Sequence, residues 1–520
     1  MFKHRPLRIA ALKRPQQPPR RCRKRHAFPS RRLVAVAVGL VFTAAAISFK
    51  QTSFANEPAT QTTNPSPIAD AMQAKSLDRA RELIASKADV NAKQADGMTA
   101  LHWACYHDDA QSTAALIAAG ATVEATNDYE IPPLYIACQN GNAEIVKRLL
   151  AAGADAKGTI PGGETCLMVA ARTGVPQVVK SLLDHGADPD ARQRNGQTAI
   201  LWAAAEGNGE VVDLLIDAGA DYKAPLASGF TPMTFAIREG KVDVVRRLLA
   251  RAVDVNEPIR PEKRAAGGPQ NGMSPLLMAV ENGHFELAEL LLEKGADPND
   301  IRPGYTALHA ITWVRKPLRG DGDPPPIGSG KRTSLDLVQT LVAKGADVNA
   351  RHGKHRPANS ALNRTDATPF LLACETGDVP LMKLLLGSGA DPTITNADNV
   401  TPLLAAAGVG VLGNGDDSAG TEEEAIDAIK LLLDHGADIN AVDAEGKTAM
   451  HGAAFQSWNN LVRLLHERGA QIAVWNRKNN LGWTPLMIAQ GHRPGNFRPS
   501  PETIDAVEAV MRACGVEPPK

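Results

Sequence analysis

At 520 residues the chain is longer than one compact hydrophobic core usually supports, so a single small domain is excluded. The formal charge is zero, with 57 Lys and Arg against 57 Asp and Glu, but residues 1–55 hold 13 bases and no acid, which leaves 44 bases against 57 acids in residues 56–520. An acidic body with only 4% aromatic residues offers neither the basic face nor the stacking surface of a nucleic-acid-binding protein.

The N-terminal segment has the order of an export signal. A basic, proline-broken stretch over residues 1–32 precedes an uncharged apolar run over residues 33–49, and Ser53-Phe54-Ala55 then supplies small residues at the −3 and −1 positions of a cleavage site. Seventeen apolar residues stand at the lower limit for spanning a bilayer, so residues 1–55 fit both a cleaved signal peptide and an uncleaved signal anchor. Both predict an exported protein, periplasmic or extracellular, and the second adds membrane anchorage through residues 33–49.

Residues 56–67 are rich in Pro, Thr and Asn and predict a flexible linker. Beyond them one short motif recurs, a Thr, Ser or Pro followed by a small residue or proline and two larger, mostly apolar residues. Its first residues stand at Thr99, Pro132, Thr165, Thr198, Thr231, Ser274, Thr306, Thr368, Thr401, Thr448 and Thr484. The first four intervals are all 33 residues, and a Gly-Ala-Asp sequence follows most of the motifs after about 20 residues.

This pattern resembles the ankyrin repeat family, whose period is about 33 residues. The resemblance implies an all-α solenoid of helix–turn–helix units joined by short β-hairpin fingers, and we expect it to be of the bacterial, exported type. The predicted repeat domain covers residues 68–515, with an N-terminal cap over 68–94, about eleven repeats, and a C-terminal cap over 480–515.

The motif residues have physical roles of their own. A threonine before proline caps a helix, and proline suits the first turn because its missing N–H is not needed there. The histidines at the fourth motif position, His102, His309 and His451, are expected to bond the backbone of adjoining fingers, as the resemblance implies. Cys105 and Cys138 occupy equivalent places in adjacent units, too far apart for a disulfide.

Five insertions break the period, and each fits either a tolerated surface loop or a functional loop. They cover residues 257–270, 314–332, 351–366, 408–424 and 491–501. None carries a phosphate-binding, calcium-binding or zinc-binding pattern, and the chain has no local signature of a hydrolase. His352 and His355 are expected in a solvated finger. We therefore predict no catalytic residue, no metal and no cofactor.

Repeat position sorts the aromatic and charged residues. Trp103, Trp202 and Phe235 at the fifth motif position are expected in the core. The residues expected to bind a partner, on finger bases, finger tips and inner-helix ends, are Tyr106, Tyr129, Arg172, Arg194, Phe230, Arg238, Tyr305 and Trp483.

A solenoid offers a long rigid surface and no enclosed pocket, so the leading hypothesis is a non-catalytic scaffold, monomeric, that binds a protein partner through its concave finger and inner-helix face. One alternative is an enzyme or small-ligand sensor with its site in the insertion 314–332 or 408–424. A deep pocket lined by Trp313, His309 and the loop 314–332 would favour this alternative. Another is a structural component of the cell envelope.

Overall fold

The computed structural model describes residues 66–262, 271–317, 326–354, 362–410, 420–492 and 498–519. The predicted signal over residues 1–55 lies outside them, as does the linker up to residue 65. None of the described helices has the length and apolar character needed to cross a membrane.

The described residues form 25 α-helices, and the expected all-α repeat fold is confirmed. In chain order they are α1 Pro67–Gln73, α2 Leu77–Ala85, α3 Ala100–Tyr106, α4 Ala110–Ala118, α5 Pro133–Asn140, α6 Ala143–Ala151, α7 Cys166–Thr173, α8 Pro176–Asp184, α9 Ala199–Glu206, α10 Gly209–Asp217, α11 Pro232–Arg238, α12 Val242–Ala250, α13 Pro275–Glu281, α14 Phe285–Glu293, α15 Ala307–Arg315, α16 Ser334–Ala343, α17 Pro369–Glu375, α18 Val379–Gly387, α19 Pro402–Ala406, α20 Glu422–Asp434, α21 Ala449–Gln456, α22 Asn459–Glu467, α23 Ile472–Trp475, α24 Pro485–Ala489 and α25 Pro501–Ala513.

All of these helices except the four-residue α23 form pairs, each with an inner and an outer helix. The pair α1/α2 precedes the first motif, and each of the eleven motifs begins a further pair, from α3/α4 in unit 1 to α21/α22 in unit 10 and α24/α25 in unit 11. The motif threonine starts the inner helix: the hydroxyl groups of Thr99, Thr165 and Thr231 each accept the backbone N–H of the third helical residue. Such a cap is worth about 1 kcal/mol.

Units stack because each buries its neighbour's apolar flank. Inner helices pack on inner helices and outer helices on outer helices along the row. Ala170 and Ala171 of α7 are fully buried and allow close approach, while Val178, Val179 and Leu182 form the buried stripe of α8. One cluster of buried side chains runs from the first pair to the last, so the core is continuous along the solenoid.

Asparagine side chains link successive units at their outer edge. Asn299 Nδ2 donates to the Gly345 carbonyl at 2.8 Å, and its Oδ1 accepts the Asp347 N–H at 2.7 Å. Asn91, Asn256 and Asn349 make the same pair of bonds. At the equivalent place Asp190 accepts the Asp221 N–H at 2.9 Å but has no N–H to donate.

The fingers differ from the expectation of β-hairpins. In the described residues they are tight turns without regular strands, and only Thr159 and Thr165 form an isolated bridge. The turn of unit 1 is closed by a bond from the Gln94 N–H to the Met98 carbonyl, 2.9 Å, and Gly97 takes the left-handed conformation that the turn needs. A finger with so few residues on each side of its turn has no room for a ladder of strand bonds.

The insertion over residues 314–332 is described on both sides of residues 318–325, and it binds to units other than its own. Lys316 near its start pairs with Glu424 of unit 9 at 2.6 Å. Ser329 near its end lies 2.9 Å from Nδ1 of His284 in unit 6. The insertion therefore ties unit 7 to units on both sides.

Candidate partner-binding face

Finger bases and inner helices create one surface, here called the inner-helix face. It consists of the residue before each motif and the fifth, eighth and ninth residues counted from the motif threonine. In unit 1 these are Met98, Trp103, Tyr106 and His107. Because one helical turn separates the fifth residue from the eighth and ninth, the three lie on the same side of the inner helix.

In unit 1 this face carries an aromatic group. The rings of Trp103 and Tyr106 meet edge to face at 5.5 Å, and His107 lies 5.7 Å from Trp103 and 5.3 Å from Tyr106. The indole N–H of Trp103 donates to Gln94 Oε1 at 2.7 Å, which fixes the ring. The Tyr106 side chain stays 59% exposed, so a rigid aromatic group is available to a partner.

Units 3 and 4 place an arginine over an indole. The Arg172 guanidinium lies 5.5 Å above the Trp202 ring, and its Nη1 is 3.3 Å from Glu164 Oε1. The Tyr135 hydroxyl donates to the other oxygen of Glu164 at 2.7 Å. Burial, reinforced by this carboxylate, raises the pKa of Tyr135 above its usual range.

Unit 5 repeats the arrangement with phenylalanine. The Arg238 guanidinium lies 4.9 Å from the Phe235 ring centre and 5.3 Å from that of Phe230, and the two rings are 5.1 Å apart. Its Nε donates to Glu239 Oε1 at 2.8 Å. The guanidinium thus lies close to both rings, and its terminal nitrogens make no hydrogen bond to the described residues.

Units 7 and 8 are more closed. Tyr305 packs edge to face on Trp313 at 5.1 Å and the Arg364 guanidinium lies 5.5 Å from the Trp313 ring centre, so the indole is half-buried. Arg364 also lies 3.8 Å from Glu375, whose side chain is only 5% exposed. Burial raises the pKa of Glu375 above its usual value, and the arginine opposes that shift.

Two of the predicted partner-binding residues do not have the expected exposure. Phe230 is 9% exposed and Tyr305 is 5% exposed. Phe230 lies under Arg238, and the Tyr305 hydroxyl donates to Glu281 of the preceding unit at 2.6 Å. The contacting side chain comes from the same unit in one case and from the preceding unit in the other, which the sequence of one repeat does not predict.

The structure places the other predicted partner-binding residues at or near the surface. Tyr129 is 71% exposed at a finger tip, and Arg194 is exposed on the finger of unit 4. Arg172 and Arg238 are half-buried on their rings, and Trp483 is half-buried against a small apolar cluster in the last two units. Whether any of them binds a partner stays a prediction.

The expectation that Trp103, Trp202 and Phe235 belong to the core was wrong in part. All three pack on the core but keep one side partly exposed on the inner-helix face. Sequence reasoning also missed Trp313 as a member of this face, although it stands at the same eighth motif position as Tyr106, Arg172 and Arg238. Arg364 belongs to the finger before Thr368, and no sequence signal pairs it with Trp313.

The motif histidines are fully engaged in the scaffold. In unit 7 the Thr306 N–H donates to Nδ1 of His309 at 3.2 Å, which leaves Nε2–H to donate to the Ala367 carbonyl of the next finger at 3.1 Å. Burial lowers the pKa of His309 to about 3. His102 and His451 repeat the two contacts, which confirms the expected structural role.

Other groups with chemistry are also bound or buried. His352 is 7% exposed and stacks on Tyr305 at 5.9 Å, so the expectation that it is solvated was wrong; His355 lies outside the described residues. Cys105 and Cys138 are buried free thiols, and burial raises the pKa of Cys105 to about 12. Among the described residues no group of His, Cys, Asp and Glu is arranged to hold a metal ion.

Comparison with known families matches most of the repeat region. The family described as Ankyrin repeats (3 copies) matches residues 68–160, 113–193, 134–225, 167–259, 225–302 and 419–497, and the single Ankyrin repeat matches residues 365–397. Together these matches cover more than half of the chain.

Similar curated proteins come from animals, yeast and a poxvirus. The B-cell lymphoma 3 protein homolog of Mus musculus is 28% identical over 42% of this chain and 40% of its own length. Ankyrin repeat and SOCS box protein 6 of Homo sapiens is 31% identical over 34% of this chain and 35% of its own length. Palmitoyltransferase AKR1 of Lachancea kluyveri is 27% identical over 44% of this chain and only 26% of its own length. This chain thus spans less than half the length of these relatives, and the similarity concerns the repeats.

Proposed function

We propose that this chain, which belongs to the ankyrin repeat family, is a non-catalytic scaffold that binds a protein partner across its inner-helix face and fingers. The observation that carries the proposal is the run of half-exposed aromatic and arginine side chains on that face, from Trp103 to Arg238. Rigid aromatic groups and arginines are the side chains that dominate protein interfaces.

The absence of a catalytic role is supported by what the reactive groups do. The imidazole of His309 is committed at both nitrogens, and Trp313 is half-buried against Tyr305 and Arg364. These are the residues that an active site in the insertion 314–332 would have used. The similarity to a palmitoyltransferase covers about a quarter of that enzyme, so it lends no support to transferase activity here.

Export is the second part of the proposal. The order of basic, apolar and small residues in 1–55 supports secretion, with the repeat domain outside the cytoplasm and residues 33–49 as a candidate anchor. We take the exported domain to be a monomer. Fractionation of cells that make the full chain, followed by N-terminal sequencing, tests this. A soluble chain beginning near residue 56 supports a cleaved signal, whereas a cytoplasmic chain with residue 1 intact overturns export.

Partner binding is tested by affinity capture with crosslinking in the native compartment. The full chain is compared with Tyr106→Ser combined with Arg172→Gln, both on the inner-helix face, and with Arg246→Gln, an exposed arginine on outer helix α12. We expect at least one protein that the wild type and the α12 variant recover and the double variant loses. Equal recovery by all three would overturn the assignment of the face.

A further inference from the structure

We propose that recognition is confined to units 1–5 and that the partner presents an acidic segment to Arg172 and Arg238. This inference rests on the proposed function and adds the footprint and the chemistry of the partner. It follows from two observations: the later units cover their own inner-helix face, and the two arginines are held in place with unused hydrogen-bond donors.

The ninth motif residue shows where the face is open. It is exposed in units 2–5, at Asn140, Thr173, Glu206 and Glu239, and half-exposed at His107 in unit 1. In units 7–10 the equivalent residues are buried: Val314, Thr376, Val409 and Gln456. The row is therefore open in units 1–5 and covered in units 7–10, while Asn282 of unit 6 is half-exposed and His492 of unit 11 is exposed.

Backbone from the ninth unit accounts for part of this covering. Helix α19 ends early, at Ala406, and the chain then turns across the inner helix of unit 10. Gly452 stands at the fifth motif position there, and a Cβ on it would lie 2.9 Å from the Val409 nitrogen. On the other side Gly410 approaches Leu362 of the finger of unit 8, where a Cβ would lie 2.9 Å from the Leu362 Cα.

A side chain from the insertion over residues 351–366 covers units 7 and 8. Arg364 lies on the Trp313 ring and faces the nearly buried carboxylate of Glu375. An arginine on an aromatic ring thus occurs in both halves of the molecule. In units 7 and 8 the carboxylate beside the arginine, Glu375, is only 5% exposed, whereas the carboxylates beside Arg172 and Arg238 are 19% and 43% exposed.

In the first half the arginines keep donors for a partner. Arg238 uses only Nε, toward the exposed Glu239, and both terminal nitrogens are without a protein acceptor in the described residues. Arg172 places one terminal nitrogen 3.3 Å from Glu164 and also interacts with the Tyr135 hydroxyl, which leaves it fewer unused donors than Arg238. A guanidinium that packs against a ring loses little conformational freedom on binding, and its two-nitrogen edge matches a carboxylate.

The spacing of the two arginines predicts the spacing of the acids. They stand at the same motif position two units apart, and packed helices lie about 8–10 Å apart, so the separation is about 16–20 Å. An extended chain covers this distance in about five or six residues at roughly 3.3 Å per residue. We therefore expect two carboxylates about five or six residues apart, with an apolar residue near Tyr106 or Trp202.

The test uses the full chain and a display library of random 16-residue peptides. Selection should enrich peptides with two acidic residues at that spacing, and their binding should weaken as salt is raised. Arg172→Gln or Arg238→Gln should weaken binding of a selected peptide at least tenfold, whereas Arg246→Gln on α12 should leave it unchanged. Circular dichroism of each variant checks that the fold is intact, and Arg238→Lys should restore binding only in part because it lacks the paired donors.

Hydrogen exchange with a bound peptide locates the footprint. Protection of amides within residues 100–250 supports the inference, and protection confined to residues 275–513 overturns it. Enrichment of basic or uncharged peptides, or none at all, also overturns it. These failures leave the scaffold role standing as long as the crosslinking capture still recovers a partner, so the two proposals are tested separately.

Discussion

The asparagine links between units predict that two reciprocal substitutions change stability in opposite directions. In Asn299→Asp the bond from the Asp347 N–H survives, but the donor to the Gly345 carbonyl is lost and a negative charge faces the end of helix α16. A net hydrogen bond contributes about 1 kcal/mol, and an unfavourable charge at a helix C-terminus costs about 0.3–1 kcal/mol. We expect a loss of about 1–2 kcal/mol.

Asp190→Asn makes the converse change. The bond to the Asp221 N–H is kept, a donor is gained for the carbonyl at the end of α10, and a charge is removed from that helix end. The expected gain is about 1 kcal/mol. Equilibrium urea unfolding at pH 7 measures both variants, and Asp188→Asn, two residues before in the same turn, is the matched control because its side chain only accepts from within the turn. If Asp190→Asn destabilises the protein, or if Asp188→Asn gains as much, the account of these links is refuted.

Three further predictions concern buried groups. His309 is neutral in the folded protein, where its pKa is lowered to about 3, against 6.5 in the unfolded chain. Its contribution to stability is therefore complete above pH 6.5 and is lost as the pH falls toward 3, by on the order of 2–3 kcal/mol near pH 4.5. His309→Leu should show a smaller fall in the free energy of unfolding between pH 7 and pH 4.5 in urea titrations. Gly452→Ala should destabilise by about 1–3 kcal/mol because its Cβ meets the turn after α19, whereas Gly387→Ala, with open space at the end of α18, should be neutral or stabilising by calorimetry. Arg315→Ala should lower the free energy of unfolding in urea by about 3 kcal/mol, because it leaves the Asp378 carboxylate, which is 1% exposed, without its ion-pair partner. Arg332→Ala should cost less than about 1 kcal/mol, because Arg332 is 56% exposed in its pair with Glu289.

Local repetition made the fold predictable, because each unit needs only its own motif and its neighbour's apolar flank. The intervals of 33 residues, the capping threonines and the apolar stripe of each outer helix were all readable from the sequence. The same local view could not establish accessibility. Phe230 and Tyr305 stand at equivalent positions, yet one is covered by Arg238 of its own unit and the other is fixed by Glu281 of the unit before.

Contacts between units that are not adjacent could not be predicted from the sequence either, because the repeat pattern relates adjacent units only. Lys316 and Glu424 are 108 residues apart, and nothing in the repeat pattern pairs them. They meet because the insertion over residues 314–332 starts at the end of an inner helix, on the same edge of the solenoid at which α20 begins. The period and the motif describe adjacent units only, so they do not predict a contact that an insertion makes between units two apart.

These contacts between units explain why the second half of the solenoid has both a covered inner-helix face and additional connections between its units. A regular repeat array is stabilised only by contacts between adjacent units, so each interface contributes to stability independently of the others. The insertion over residues 314–332 adds bonds from unit 7 to units 6 and 9, and the turn after α19 lies between the finger of unit 8 and the inner helix of unit 10. Side chains and backbone that make such bonds occupy the surface they cross. The second half therefore gains lateral connections at the expense of open inner-helix face, while the first half, with regular 33-residue units, retains the face that a partner can reach.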